Sequence, residues 1–197
     1  MAITNGYITL SLLKSALSIN DEQDDEFLEL AINAASRQID QMCERQFFST
    51  TETRVFAPRD SFICEIDDLT ALTSLKTSSS ADGVFDVTWA AKDYQLEPLN
   101  SLAGGIPSPA TQIRAVDEYL FPTDNEEATV QIEGTFGFTP VPDQIQQATL
   151  ILAARLQERR FSPLGIAGFN DIGSVSVKNY DADVLTLISP FKKMRFA

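Results

Sequence analysis

The residues of this chain that could do chemistry are mostly carboxylates. They crowd most densely at Asp21, Glu22, Asp24, Asp25, Glu26 and Glu29. A calcium loop needs alternating oxygen ligands, a glycine at its sixth position and a glutamate at its twelfth. Counted from Asn20, those two positions are Asp25 and Ala31, so the pattern fails. Acids that open a helix and oppose its positive end are the simpler account. Asp67-Asp68 is a pair of the kind that does acid–base work, but 28 acids make neighbouring pairs inevitable. Cys43 and Cys64 have no basic activator in their sequence surroundings. Two thiols are also too few for a disulfide scaffold or a four-thiolate zinc site, and they read as reduced, buried, small apolar groups. Histidine is absent. That removes Ser-His-Asp and Cys-His nucleophiles and histidine metal sites together. There is no G-x-S-x-G elbow. Gly104-Gly105 and Gly134-Thr-Phe-Gly137 lack the Lys and Ser or Thr of a phosphate loop, and read as turn glycines. The expectation is therefore no enzyme, with no catalytic residue, no metal and no cofactor.

Cations are few and gathered late. Residues 1–144 hold 24 of the 28 acids and 8 of the 15 bases, a net of −16, whereas residues 145–197 hold 4 and 7, a net of +3. A body this acidic is a poor binder of the phosphate backbone, which needs clustered Lys and Arg. The basic concentrations are two, Arg155, Arg159 and Arg160, and then Lys192, Lys193 and Arg195. Arg155, Arg159 and Arg160 sit where cations complement a helix C-terminus, and are candidates for contact with a neighbouring acidic subunit or with passing nucleic acid. The tail Phe191-Lys192-Lys193-Met194-Arg195-Phe196 brackets its charges with aromatics, which suits docking of a terminal segment into a partner groove.

The elements that must position these residues can be read from apolar spacing. Thr9 can cap a short helix carrying Leu10, Leu12, Leu13, Ala16 and Leu17. A longer helix opened by Asn20 or Asp21 follows, with Leu28, Ile32, Ala35, Ile39 and Met42 forming one stripe at spacings of four, three, four and three. From about Thr50 the pattern turns to short β-rich runs: 54–57, 62–66, 72–76, 84–90, 94–96, 113–116 and 128–133. Turn signals separate them, and Gly134 and Gly137 allow a bend after the last. Val141-Pro142-Asp143 starts a second long helix, whose stripe is Ile145, Ala148, Leu152 and Leu156. Residues 161–174 read as a mobile linker rich in Gly, Pro and Ser. Asp181 or Asp183 can then open a final short helix over Val184–Ile188.

The 197 residues, 44% hydrophobic and 22% charged, suit one globular domain or a core with one sizeable insertion. The fold class expected is α+β: a helical bundle built from N- and C-terminal helices, with a β-rich middle insertion and an extended C-terminal arm. Its parts are residues 1–49, 50–141, 142–160 and 161–197. The best apolar run, Ala148 to Ala154 (ATLILAA), is far short of the roughly 20 residues that span a bilayer. The start, MAITNGYITL, has no basic or long apolar leader character, so a soluble protein made in the cytoplasm is expected, with no membrane partner.

The order of these pieces resembles the head–tail connector (adaptor) proteins of tailed bacteriophages. The resemblance is carried by "ITLSLLKSAL" followed by "INDEQDDEFLELAINAASRQIDQMCERQF", by "VQIEGTFGFTPVPDQIQQATLILAARLQERR", and by the ending "DADVLTLISPFKK". Together these cover about half of the chain, at both ends; the middle matches more loosely, through "AAKDYQLEP". The resemblance implies a non-enzymatic virion protein, made in the host cytoplasm. It would form a ring, commonly of twelve copies, in the neck beneath the portal, joining it to a stopper or tail while DNA passes only as cargo. The C-terminal arm, residues 191–196, would reach the portal, and deleting 190–197 would leave the subunit folded. Two other readings stand beside it. Another neck protein, such as a tail-completion protein or stopper, would be dominated by strand. A small carboxylate-dependent enzyme would show a concave pocket with strongly perturbed acids.

Overall fold

A computed structural model describes residues 2–80, 82–123, 127–161 and 181–193. The fold is α+β, and the chain divides into two compact units. Residues 1–44 and 141–197 make a helical unit, and residues 45–140 make a sheet unit.

In the helical unit, Thr9 begins α1 (Leu10–Leu17) by accepting the Leu12 N–H on its hydroxyl at 3.2 Å. Helix α2 (Asp25–Cys43) starts four or five residues later than the sequence pattern suggests. Residues 20–24 form a turn instead, because Asp21 spends its carboxylate on the nearby Gln23 N–H at 3.1 Å. Acids Asp25 and Glu26 occupy the first turn of α2, the favourable end of its dipole. Leu28, Ile32, Ala35 and Ile39 are buried as spaced, while Cys43 rather than Met42 completes the stripe. Helix α3 (Asp143–Phe161) packs against α2, and α4 (Ala182–Ile188) packs against α3. Ile145, Ala148 and Leu152 of α3 and Val184 and Ile188 of α4 supply the facing apolar surfaces. Asp181 caps α4 by accepting the Asp183 N–H. The stripe of α3 shifts by one residue at its end, so that Gln157 is buried and Leu156 only half-buried. A 3-10 turn, Ser189–Phe191, follows α4.

The segment before α1 has no regular structure, yet it is strapped to α2. Asn33 accepts the Thr4 N–H and donates to the Ala2 carbonyl. Ser36 accepts the Tyr7 N–H, Arg37 donates to the Asn5 carbonyl, and Asp40 bonds the Tyr7 hydroxyl. Positions 33, 36, 37 and 40 lie along one line of the helix surface. This polar stripe beside the apolar one places the residues 2–9.

The sheet unit is antiparallel throughout, in the order β1-β8-β2-β7-β4, with β3 on the far half of β2. Its strands are β1 (Thr50–Phe56), β2 (Ile63–Thr77), β3 (Val87–Thr88), β4 (Tyr94–Glu97), β7 (Ala110–Ala115) and β8 (Val130–Phe136). Strands β5 (Leu102–Ala103) and β6 (Ile106–Pro107) form a separate hairpin. The runs 62–66 and 72–76 are one strand. Its register shifts between Glu65 and Leu69, and again before Ala71 and Ser74, where Asp67, Asp68 and Thr70 interrupt the apolar alternation. Cys64, Leu75, Ile113, Val130, Ile132 and Phe136 form the core with Trp89 and Phe121, whose rings stack at 4.7 Å. The Trp89 indole N–H reaches the Thr77 hydroxyl at 3.0 Å, so this buried ring keeps its polar atom satisfied. After β8 the chain turns at Gly137, where φ is +99°. A Cβ there would stand 2.1 Å from the Phe48 carbonyl oxygen. Gly134 lies inside β8, where a side chain would meet the Ala71 carbonyl at 2.5 Å. It is a close-approach glycine rather than a bend.

Candidate functional site

Several of the carboxylates singled out by the sequence are engaged in holding structure. Asp25 pairs with Lys14 at 2.6 Å and Asp24 with Arg160 at 2.7 Å. The two members of the Asp67-Asp68 pair serve different arginines. Exposed Asp67 meets Arg54 at 2.7 Å, while buried Asp68 lies 3.4 Å from Arg45. Adjacent strand residues face opposite sides of a sheet, which is why neighbours in sequence share no site here. Among the described residues no group of three or more His, Cys, Asp or Glu side chains is placed to hold a metal ion. Both cysteines are buried and neither is in a disulfide. Burial pushes the Cys64 thiol up to about 12, with the Glu65 charge adding to it, so it holds little thiolate at neutral pH.

One carboxylate cluster is well ordered. Glu97 at the end of β4 accepts from Arg114 at 2.7 Å, from Gln112 across the β4–β7 pair, and from Gln95 at 3.0 Å. The Arg114 hydrogen bond, then that of Gln112, holds its carboxyl below the usual range. The effect is to keep an anion firmly charged, the opposite of what a proton-transferring acid needs.

The basic groups divide. Arg160 is committed: it lies 3.7 Å over the Phe27 ring and pairs with Asp24. Arg155 is half-buried and Arg159 exposed at the end of α3. Phe191 requires a correction. The exposed docking aromatic expected from sequence is fully buried in the helical unit. Its spacing from Val184 and Ile188 continues the α4 apolar face, and a ring this large is worth more in the core than in water. Lys192 and Lys193 are exposed, and the Lys193 N–H donates to the Cys43 carbonyl at 3.0 Å, satisfying the C-terminal end of α2. Cutting at residue 190 would thus remove a core side chain and a helix cap, so a deletion that spares the fold must begin after Lys193. Met194, Arg195 and Phe196, like the linker expected over 161–174 beyond Phe161 itself, lie outside the described residues.

Sequence reasoning missed a cleft in the helical unit. It measures about 730 Å³ and is formed by Ile3, the strapped residues Gly6 to Leu12, and Gln146 of α3. Tyr7 and Ile8 are buried beneath it, while Leu12 stays 42% exposed. Among the described residues no helix is long and apolar enough to cross a membrane.

Residues 7–73, which run from the strap through α1, α2 and β1 into β2, match the family described as phage gp6-like head-tail connector protein. The N-terminal third of this chain is thus similar to the head–tail connector family. The fold of the whole chain is also found among solved structures. A chain in the neck of an empty GTA particle, computed with C6 symmetry, aligns with a TM-score of 0.64 at 19% identity, covering 100% of this chain and 95% of that one. A chain in the neck of a native GTA particle, computed with C12 symmetry, gives 0.63 at 19% identity, with 100% and 94% covered. A chain in the virion of a native gene transfer agent particle gives 0.58 at 19% identity, with 100% and 95% covered. No curated protein matches this chain.

Proposed function

We propose that this protein is a structural component of a virion neck, a head–tail connector that forms a ring of twelve copies beneath the portal. In this reading it joins capsid to tail or stopper, DNA passes through the ring, and no reaction is catalysed. The observation that carries the reading is the connector-family match over residues 7–73. Support comes from a fold that corresponds along the whole chain to neck proteins of gene transfer agent particles, one of them computed with C12 symmetry. The described ion pairs of Asp24, Asp25, Asp67 and Asp68 and the buried thiols are consistent with it. The basic end of the chain, Lys192 and Lys193 with the four residues beyond, contacts the portal. Arg159 at the end of α3 is available to a neighbouring acidic subunit or to passing DNA.

The test is reconstitution of the full chain on rings of its cognate portal protein, imaged by electron cryomicroscopy. Twelve-fold density on the portal face is the expected result, and portal rings that remain bare overturn the reading. A variant ending at Lys193 with Lys192→Glu and Lys193→Glu should keep its circular dichroism melt and lose portal attachment. Retained attachment of that variant would leave the connector role standing and remove the docking role from the tail.

A further inference from the structure

Two surfaces of this chain are apolar, exposed and free of charge. The first is the β5–β6 hairpin. Gly104 and Gly105 turn it with φ of +61° and +85°, the two positive values of a type I′ turn. Leu102 and Leu99, 68% and 61% exposed, are the most exposed large apolar side chains among the described residues. Among the described residues the hairpin pairs with no other strand. The second surface is the cleft of the helical unit, lined by Ile3, Ile8, Leu10, Leu12 and Gln146 among others, with no Asp, Glu, Lys or Arg side chain on its wall. The sequence marks both. Residues 98–113 and 1–13 are its two longest stretches without Asp, Glu, Lys or Arg.

We infer that the β5–β6 hairpin of one copy seats its leucines in the cleft of a second copy. The reason is electrostatic as much as apolar. Each chain carries −13, so copies repel wherever their ordinary surfaces meet. Association is cheapest where both partners present no charge, and exposed leucines facing an apolar cleft then supply the burial that drives it. A finger entering a cleft uses two different patches per copy. Such a heterologous contact propagates head to tail and closes a ring when the rotation allows. The inference rests on the multi-copy reading above and adds the residues that would make the contact.

The experiment is a disulfide trap. Leu12→Cys and Leu102→Cys are introduced together in the full chain, whose own two cysteines are buried, and the concentrated protein is oxidised. A ladder of dimer, trimer and higher covalent species is expected from the double variant and not from either single one. No ladder, or an internally bridged monomer alone, overturns the contact. A second variant, Leu99→Asp with Leu102→Asp, places charge at solvent-exposed positions and should keep its melting temperature while self-association weakens by about ten-fold or more. Unchanged association overturns the contact as well. Raising salt should strengthen association of the natural chain, since it screens repulsion between acidic bodies; weakening by salt would point to ion pairing and against this interface. Neck particles that assemble from the double-cysteine variant and form no disulfide overturn this contact and leave the ring intact. A chain that enters no neck overturns the ring reading and this contact together.

Discussion

Gly137 carries more of the sheet unit than its size suggests. Its N–H donates to the Asp68 carbonyl at 2.7 Å, its φ is +99°, and the space where a Cβ would stand is filled by the Phe48 carbonyl. Gly137→Ala therefore meets a backbone clash and an unfavourable φ together, and should cost about 3 kcal/mol or more in urea unfolding. Glu97 makes a prediction of a different kind. Its folded pKa is lowered from 4.5 by Arg114 and the two glutamines. A lowered folded pKa means stability fully present above the unfolded value, and lost as pH falls through the folded one. Asp60 and Asp86 are shifted the same way, chiefly by the Phe62 N–H and the Ser79 hydroxyl respectively. Glu97→Gln should thus be less stable than the natural chain at neutral pH. The gap should narrow as urea midpoints are taken from pH 7 to pH 3, and a constant gap would mean that the carboxylate charge is not what the cluster uses.

At the scale of elements, the strap over α2 is the most informative. The Ser36 hydroxyl accepts the buried Tyr7 N–H at 3.1 Å and donates to the Ile32 carbonyl at 2.7 Å. Ser36→Ala leaves the Tyr7 N–H without that partner and should cost about 1–3 kcal/mol. Amide exchange of residues 2–9 should rise more than that of α3, because the strap opens before the helices separate. This element was illegible from spacing alone. Asn33, Ser36, Arg37 and Asp40 read as the solvated side of an amphipathic helix, and nothing local says which backbone they receive. The helices were legible because their signals are local: Thr9 and Asp181 as caps, Pro142 at a boundary, and the stripe through Leu28, Ile32, Ala35 and Ile39. Strand β2 was misread as two because its bulges place polar residues where alternation expects apolar ones, and only pairing with β7 and β8 holds the run together. The same limit applies to the site. The tail's composition draws attention to Lys192 and Lys193, which are exposed, but the burial of Phe191 depends on a contact made far away in sequence.

For the whole molecule, the decisive quantity is where charge lies. Residues 45–140 hold 15 acids and 6 bases, a net of −9, so the sheet unit alone accounts for most of the −13. A ring of twelve such subunits would surround duplex DNA with like charge and let it move without sticking. Counterion release, the main source of non-specific DNA affinity, requires cations that neutralise phosphates. Several described cations are already answered by carboxylates: Arg45 by Asp68, Arg54 by Glu52 and Asp67, Arg114 by Glu97, and Arg160 by Asp24. The full chain should accordingly leave the mobility of linear duplex DNA unchanged even near 10 mM salt, where the screening length is about 30 Å and any attraction is strongest. A shift that appears there and fades with added salt would overturn the acidic-wall reading. If Arg159→Glu or the paired Lys192→Glu, Lys193→Glu change then removed the shift, the DNA contact would belong to the basic C-terminal quarter. The protein would then hold DNA by that edge.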